Sequence, residues 1–187
     1  MSHARSAWRN GSWEKLLNPS VRELTWRCTK PRKPDGTGCA QGRQVMRVGH
    51  ELLKWSDALA TGVARIDQQH KMLINILNDA NQCFRDGQDA EAQVKIMEDL
   101  IGYTTYHFDS EEELMEAGGY GDRLPDEEKR HVREHRAFAK AASDYQLALK
   151  QGKPIDYEML FGFLNNWLVN HVMGTDQKFG RFLNGKA

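Results

Sequence analysis

From Met46 onward the apolar positions fall at steps of three and four, the spacing of a single helix face. Over 66–86 the stripe is His70, Leu73, Ile74, Leu77, Asn81 and Phe84, and Gly87 ends it. Over 90–116 it is Met97, Leu100, Ile101, Thr104, His107, Phe108, Glu111, Leu114 and Met115, closed by Gly118-Gly119. The segment 125–151 opens on Pro125, with Asp126, Glu127 and Glu128 suited to the positive end of a helix dipole. Its stripe runs His131, His135, Phe138, Ala142, Tyr145 and Leu149, and Gly152 follows. A fourth segment, 154–173, opens at Pro154 and carries Leu160, Leu164, Trp167, Leu168 and His171. No period-two strand pattern intervenes. Four amphipathic helices with short links predict an all-α fold, an antiparallel up-down-up-down four-helix bundle over 46–187.

Charge divides the chain differently. Its 187 residues carry no net charge, yet residues 1–45 hold nine Lys/Arg against three Asp/Glu and the remainder is acidic. That first stretch includes TKPRKPDGTGCAQGR, too rich in Pro, Gly and charge for a packed core. It reads as a basic, poorly ordered extension with Trp8, Trp13 and Trp26 as its bulky anchors, and as the place where a protein partner would dock. Basicity confined to an arm argues against a nucleic-acid-binding domain. No run is apolar enough to span a membrane, and Cys28, Cys39 and Cys83 form neither a disulfide framework nor a zinc ribbon. A monomer in a reducing cytoplasm is the expectation.

The stripes themselves hold the chemistry. His70, His107, Glu111, His131, His135 and His171 occupy inward positions where a core would be apolar. Burying that many polar groups is costly unless each finds a partner, and a metal satisfies several imidazole lone pairs and a carboxylate together. His107 and Glu111 are one turn apart, as are His131 and His135, so each pair converges on one point. Six donors exceed the four of a closed zinc site and suit two metals sharing a carboxylate. His3 and His50 fall outside the set. Asp176 follows His171 by five residues, about 140° away on an ideal helix. It joins only if the helix loosens after His171, for which Gly174 offers a place.

The stretch HVREH, residues 131–135, also matches the H-x-x-E-H zinc-peptidase signature. That reading needs Glu134 at the site and a later glutamate ligand, and it leaves His70, His107, Glu111 and His171 unexplained. Glu134 is therefore expected on the exposed face of its helix. A carboxylate-rich di-iron oxidase would need two Glu-x-x-His motifs. The chain offers Glu128-Lys129-Arg130-His131 and a weaker Asp67-Gln68-Gln69-His70, and Asp67 and Glu128 both lie near expected helix starts.

Four motifs, IDQQHKML (66–73), HFDSEEELM (107–115), HVREHRAF (131–138) and WLVNHVMGTD (167–176), resemble those of the hemerythrin family, in particular its single-domain bacterial members. The resemblance spans roughly 46–180 in the family's order. It implies a non-haem di-iron centre that binds O₂ reversibly, in a carrier, storage or delivery role and not an enzymatic one. One iron would take His70 and His107, and the other His131, His135 and His171. Glu111 and Asp176 would bridge them with an oxo or hydroxo group, and the two-histidine iron would keep the open position. An oxygen- or redox-sensing module acting through the basic arm is the alternative role. Phe108, Leu114, Met115 and Trp167 are candidates for an apolar lining. The link GGYGDRLPDEEKR (118–130) is longer than is usual in the family, which predicts a moved loop or an added helical turn.

Overall fold

The computed structural model describes residues 52–185. The expected basic extension over 1–45, and the boundary at Met46, lie outside the described residues. Four long helices form the body: α1 (Ala64–Arg85), α2 (Ala90–Gly118), α4 (Pro125–Lys150) and α5 (Tyr157–His171). A one-turn helix, α3 (Tyr120–Arg123), sits between α2 and α4. Beyond α5 the chain makes a π-helical segment (Val172–Asp176) and then α6 (Gln177–Leu183). No strand occurs among the described residues. Helix α1 packs on α2, α2 on α4, α4 on α5 and α5 on α1, which closes the up-down-up-down ring.

Local chemistry sets the boundaries. Asp89 caps α2 by accepting from the Ala92 amide at 2.9 Å, and Asp156 caps α5 by accepting from Met159 at 3.0 Å. The fourth helix therefore starts at Tyr157 and not at the expected Pro154, because the capping carboxylate lies two residues beyond the proline. Pro125 does stand at the first position of α4, where its missing N–H costs nothing. Gly119 ends α2 at φ 66°, a left-handed backbone that favours glycine. The long 118–130 link is taken up by α3, an added helical turn. Asp67 serves the start of α1, its Oδ1 accepting from both the amide and the hydroxyl of Thr61 at 2.7 Å, and Glu128 lies in the first turn of α4.

The interior contains two apolar clusters. The larger includes Leu73, Leu77, Leu100, Phe108, Phe138, Leu160, Leu164 and Leu168, each nearly or fully buried. Side chains of this size stabilise a fold by roughly 1.5–3 kcal/mol each on burial. The smaller cluster is Ile66, Met115, Tyr120 and Phe179, so α3 and α6 close one end of the bundle. Helix α6 is seated by Gly180, where a Cβ would come within 2.4 Å of the Thr61 carbonyl oxygen. The polar stripe residues touch both clusters: His135 stacks on Phe108 of the larger, and His131 meets Phe179 of the smaller.

Candidate metal centre

Every polar residue that the stripes placed inward is buried, and so is Asp176. His70 comes from α1, His107 and Glu111 from α2, His131 and His135 from α4, and His171 from the last turn of α5. Their metal-binding atoms form two overlapping groups. Glu111, His131, His135, His171 and Asp176 make one; His70, His107, Glu111 and Asp176 make the other; within each group the atoms lie within 4.8 Å of one another. Both carboxylates belong to both groups.

Asp176 stands between the two groups. Its Oδ2 is 3.1 Å from His70 Nε2, while its Oδ1 is 3.0 Å from both His131 and His171 Nε2. Glu111 Oε2 lies 3.2 Å from His131 and His135 Nε2 and 3.8 Å from His107 Nε2. The π segment is what delivers Asp176. An i→i+5 turn is wider than an α turn, so the fifth residue after His171 returns nearly into line with it. Gly174, however, is not the cause. Its φ is not positive, and a Cβ there would meet nothing within 4 Å. The segment is held instead by Thr175, whose hydroxyl donates to Glu134 at 2.8 Å, and by burial of Val172 and Asp176.

Whether these donors fit a metal is decided by how the nitrogens face one another. His70 and His107 Nε2 are 3.2 Å apart, and His135 and His171 Nε2 are 3.1 Å apart. Behind His107, the Gln69 amide oxygen lies 3.1 Å from Nδ1; behind His171, Glu134 Oε2 lies 2.8 Å from Nδ1. An acceptor on Nδ1 fixes the proton there and leaves the Nε2 lone pair facing inward. At His107 and His171 that lone pair faces the Nε2 of His70 and His135, so each pair of nitrogens is satisfied by a proton or a cation between them. Glu111 Oε1 is buried with no hydrogen-bond partner, and the Asp176 oxygens receive no well-formed hydrogen bond from the imidazoles around them. A set of five imidazoles and two carboxylates in this state fits metal ions.

Electrostatics agree. Burial and the Asp176 charge push the Glu111 carboxyl up, but His107, His131 and His135 outweigh them and hold it at about 2. Asp176 is lowered well below the usual carboxylate range, where the surrounding imidazoles overcome the effect of burial. Burial lowers His107 to about 4, so it is neutral near pH 7. At His171 burial acts downward too, but Asp176 and Glu134 reverse it and hold the imidazole at about 10. In the metal-free protein a proton on His171 takes the place of a cation.

Sequence periodicity missed the groups behind the candidate donor atoms. Glu134, expected on an exposed face, is only about one-third exposed and bonds His171 and Thr175. The correction has a physical reason. Position 134 points off the inward stripe of α4 but toward the seam with α5, where the π turn brings Thr175 within reach. Gln69 is likewise off stripe and buried between His107 and Ser110. Of the lining candidates, Phe108 stacks on His135 with ring centroids 3.8 Å apart, and Trp167 stacks on His171 at 4.3 Å. Met115 belongs to the smaller cluster, with Leu114 packed against it.

The hemerythrin HHE cation binding domain matches residues 61–183. Bacteriohemerythrin of Stenotrophomonas maltophilia is 38% identical over 128 residues, covering 68% of this chain and 79% of that one. Myohemerythrin of Theromyzon tessulatum is 30% identical over 129 residues, covering 69% and 92% of the two chains. A crystal structure of wild-type hemerythrin superposes with a TM-score of 0.64 at 29% identity, covering 73% of this chain and all of the other. The match spans the four helices and every residue of the buried donor cluster: the chain belongs to the hemerythrin family.

Proposed function

We propose that this protein binds O₂ reversibly at a di-iron centre. The reading is carried by one observation, two donor groups that share both of their carboxylates. His70 and His107 would hold one iron, and His131, His135 and His171 the other, with Glu111 and Asp176 common to both. When bound, the iron pair supplies the electrons that hold O₂. The chain's own residues do the rest. Glu134 and Gln69 orient His171 and His107, and Phe108 and Trp167 brace His135 and His171 by stacking.

Access and water exclusion also support the reading. A cavity of about 20 Å³, room for one molecule the size of water, is lined by Leu77, Leu100, Phe138 and Leu164 and reaches His107 and His171. Such a wall admits a small apolar gas and offers water few partners. Asp67, which a carboxylate-rich oxidase would draw to its metals, is held by Thr61 instead, and Glu128 lies in the first turn of α4 outside both donor groups. No helix among the described residues is long and apolar enough to cross a membrane.

The test is anaerobic loading with Fe(II), a metal count, and exposure to air. About two irons per chain and a visible absorption that disappears under vacuum and returns with O₂ are expected. One tightly held zinc with no oxygen-dependent spectrum would sink the proposal, and rapid irreversible oxidation would favour an oxidase or redox sensor.

A further inference from the structure

The groups behind the imidazoles differ in charge from one side of the centre to the other. On the five-donor side, Glu134 Oε2 lies 2.8 Å from His171 Nδ1, and Glu112 Oε1 lies 3.5 Å from His135 Nδ1. On the four-donor side, the acceptor behind His107 is the neutral amide oxygen of Gln69 at 3.1 Å; on both sides the remaining Nδ1 atoms, of His70, His131 and His135, are buried without a hydrogen-bond partner.

Orientation of the Gln69 amide is fixed by its neighbours. The Ser110 hydroxyl has one proton, which it donates to the Tyr106 carbonyl at 2.9 Å. Its oxygen then accepts from Gln69 Nε2 and from Arg65, both at 3.0 Å. With its nitrogen committed to Ser110, Gln69 presents oxygen to His107. On this side the nearest charged member of the chain of hydrogen bonds is the cation Arg65, three hydrogen bonds from the imidazole. On the other side, the Glu134 carboxylate bonds His171 directly, with Arg130 3.7 Å from its second oxygen.

Building on the di-iron reading, we infer that Glu134 and Gln69 are positioning residues that set the two metal positions apart in electron affinity. An anionic acceptor on Nδ1–H strengthens the donor at Nε2, which favours a more highly charged metal; a neutral amide does so far less. The three-histidine position is thereby biased toward the ferric state. The position held by His70 and His107 is the one kept closer to ferrous. The asymmetry adds to the difference in ligand number and acts in the same direction.

The experiment uses the full chain loaded with iron, with iron counted per chain and midpoint potentials read by spectroelectrochemical titration. Glu134→Gln keeps the acceptor and removes the charge; it should raise the midpoint and weaken iron retention against a chelator by about 10- to 100-fold. Glu134→Ala, which loses the hydrogen bond as well, should weaken retention further. Gln69→Glu adds a charge behind His107 and should lower the midpoint. Should that variant fail to fold, the Glu134→Gln midpoint decides alone. Unmoved midpoints at full iron load, or shifts of the same sign in Glu134→Gln and Gln69→Glu, would overturn this inference alone. Absence of iron from the unaltered chain would overturn the di-iron reading and this inference with it.

Discussion

His171 and Asp176 present their donor atoms 3.0 Å apart although five residues separate them, because the chain between them is a single π turn. On a regular α-helix the same spacing would leave the carboxylate about 140° away from the imidazole. The turn therefore decides whether the centre has one shared carboxylate or two.

That dependence separates two changes at Gly174. Alanine there meets open space at an ordinary φ, so Gly174→Ala should keep the iron content and raise Tm by about 2–4 °C, the effect of roughly 1 kcal/mol in a chain of this size. Inserting an alanine after Gly174 lengthens the turn and swings Asp176 by about 100° out of line. Iron should fall to about one per chain or below, while circular dichroism keeps its helical form. Full iron in the insertion variant would mean that the placement of Asp176 by the π turn is dispensable.

The bundle and most of the centre were legible in the sequence because one rule governs both: a residue every three or four positions faces inward. That rule found His70, His107, Glu111, His131, His135 and His171 as readily as Leu100 or Leu164. Asp176 broke it, since periodicity assumes an α-helix and the π turn changes the period. Gln69 and Glu134 escaped for another reason. Their partners lie 38 and 37 residues away on neighbouring helices, and no pattern within one helix reports a contact across a seam. Periodicity places Glu134 outside because it divides α4 into one inner face and one outer face, whereas the seam with α5 belongs to neither.

The two donor groups predict unequal responses to loss of a histidine. His107→Ala leaves three donors in its group, whereas His135→Ala leaves four in its own. Iron per chain should drop to about one in His107→Ala. His135→Ala should bind iron weakly but lose less of it before a chelator is added, and its Tm should fall because Phe108 loses the ring stacked on it at 3.8 Å. Iron analysis after desalting, with thermal melts alongside, reads both. Equal iron loss in the two variants would contradict the grouping.

The apolar cavity should act on rate and leave the metal alone. Leu100 is one helical turn from Thr104 and two from His107, and its side chain forms part of the wall. Leu100→Phe adds volume to that space at a cost of about 1–3 kcal/mol in packing. Iron content should stay near two, while stopped-flow O₂ association slows by about tenfold, and Leu100→Ala should not slow it. An unchanged rate in the phenylalanine variant would place the entry path elsewhere.

Removing the metal should expose the charges that it balances. In the metal-free protein His171 is raised to about 10, so its contribution is fully present below its ordinary value near 6.5 and is lost as pH rises through 10. His107 is lowered to about 4, so its contribution is present above 6.5 and is lost as pH falls through 4. Glu111, held at about 2, adds stability above 4.5 that disappears as pH falls toward 2, and Asp176 acts in the same direction. The four shifts together place the metal-free optimum near pH 6.5, with losses on both sides. Iron binds the folded chain far better than the unfolded one, so loading should raise Tm throughout the neutral range. It should also flatten the alkaline limb, because the iron displaces the proton from His171. Thermal melts of the chelated and loaded protein across pH 4–10 measure this directly. A metal-free protein that grew steadily more stable from pH 7 to pH 10 would show that His171 carries no proton there.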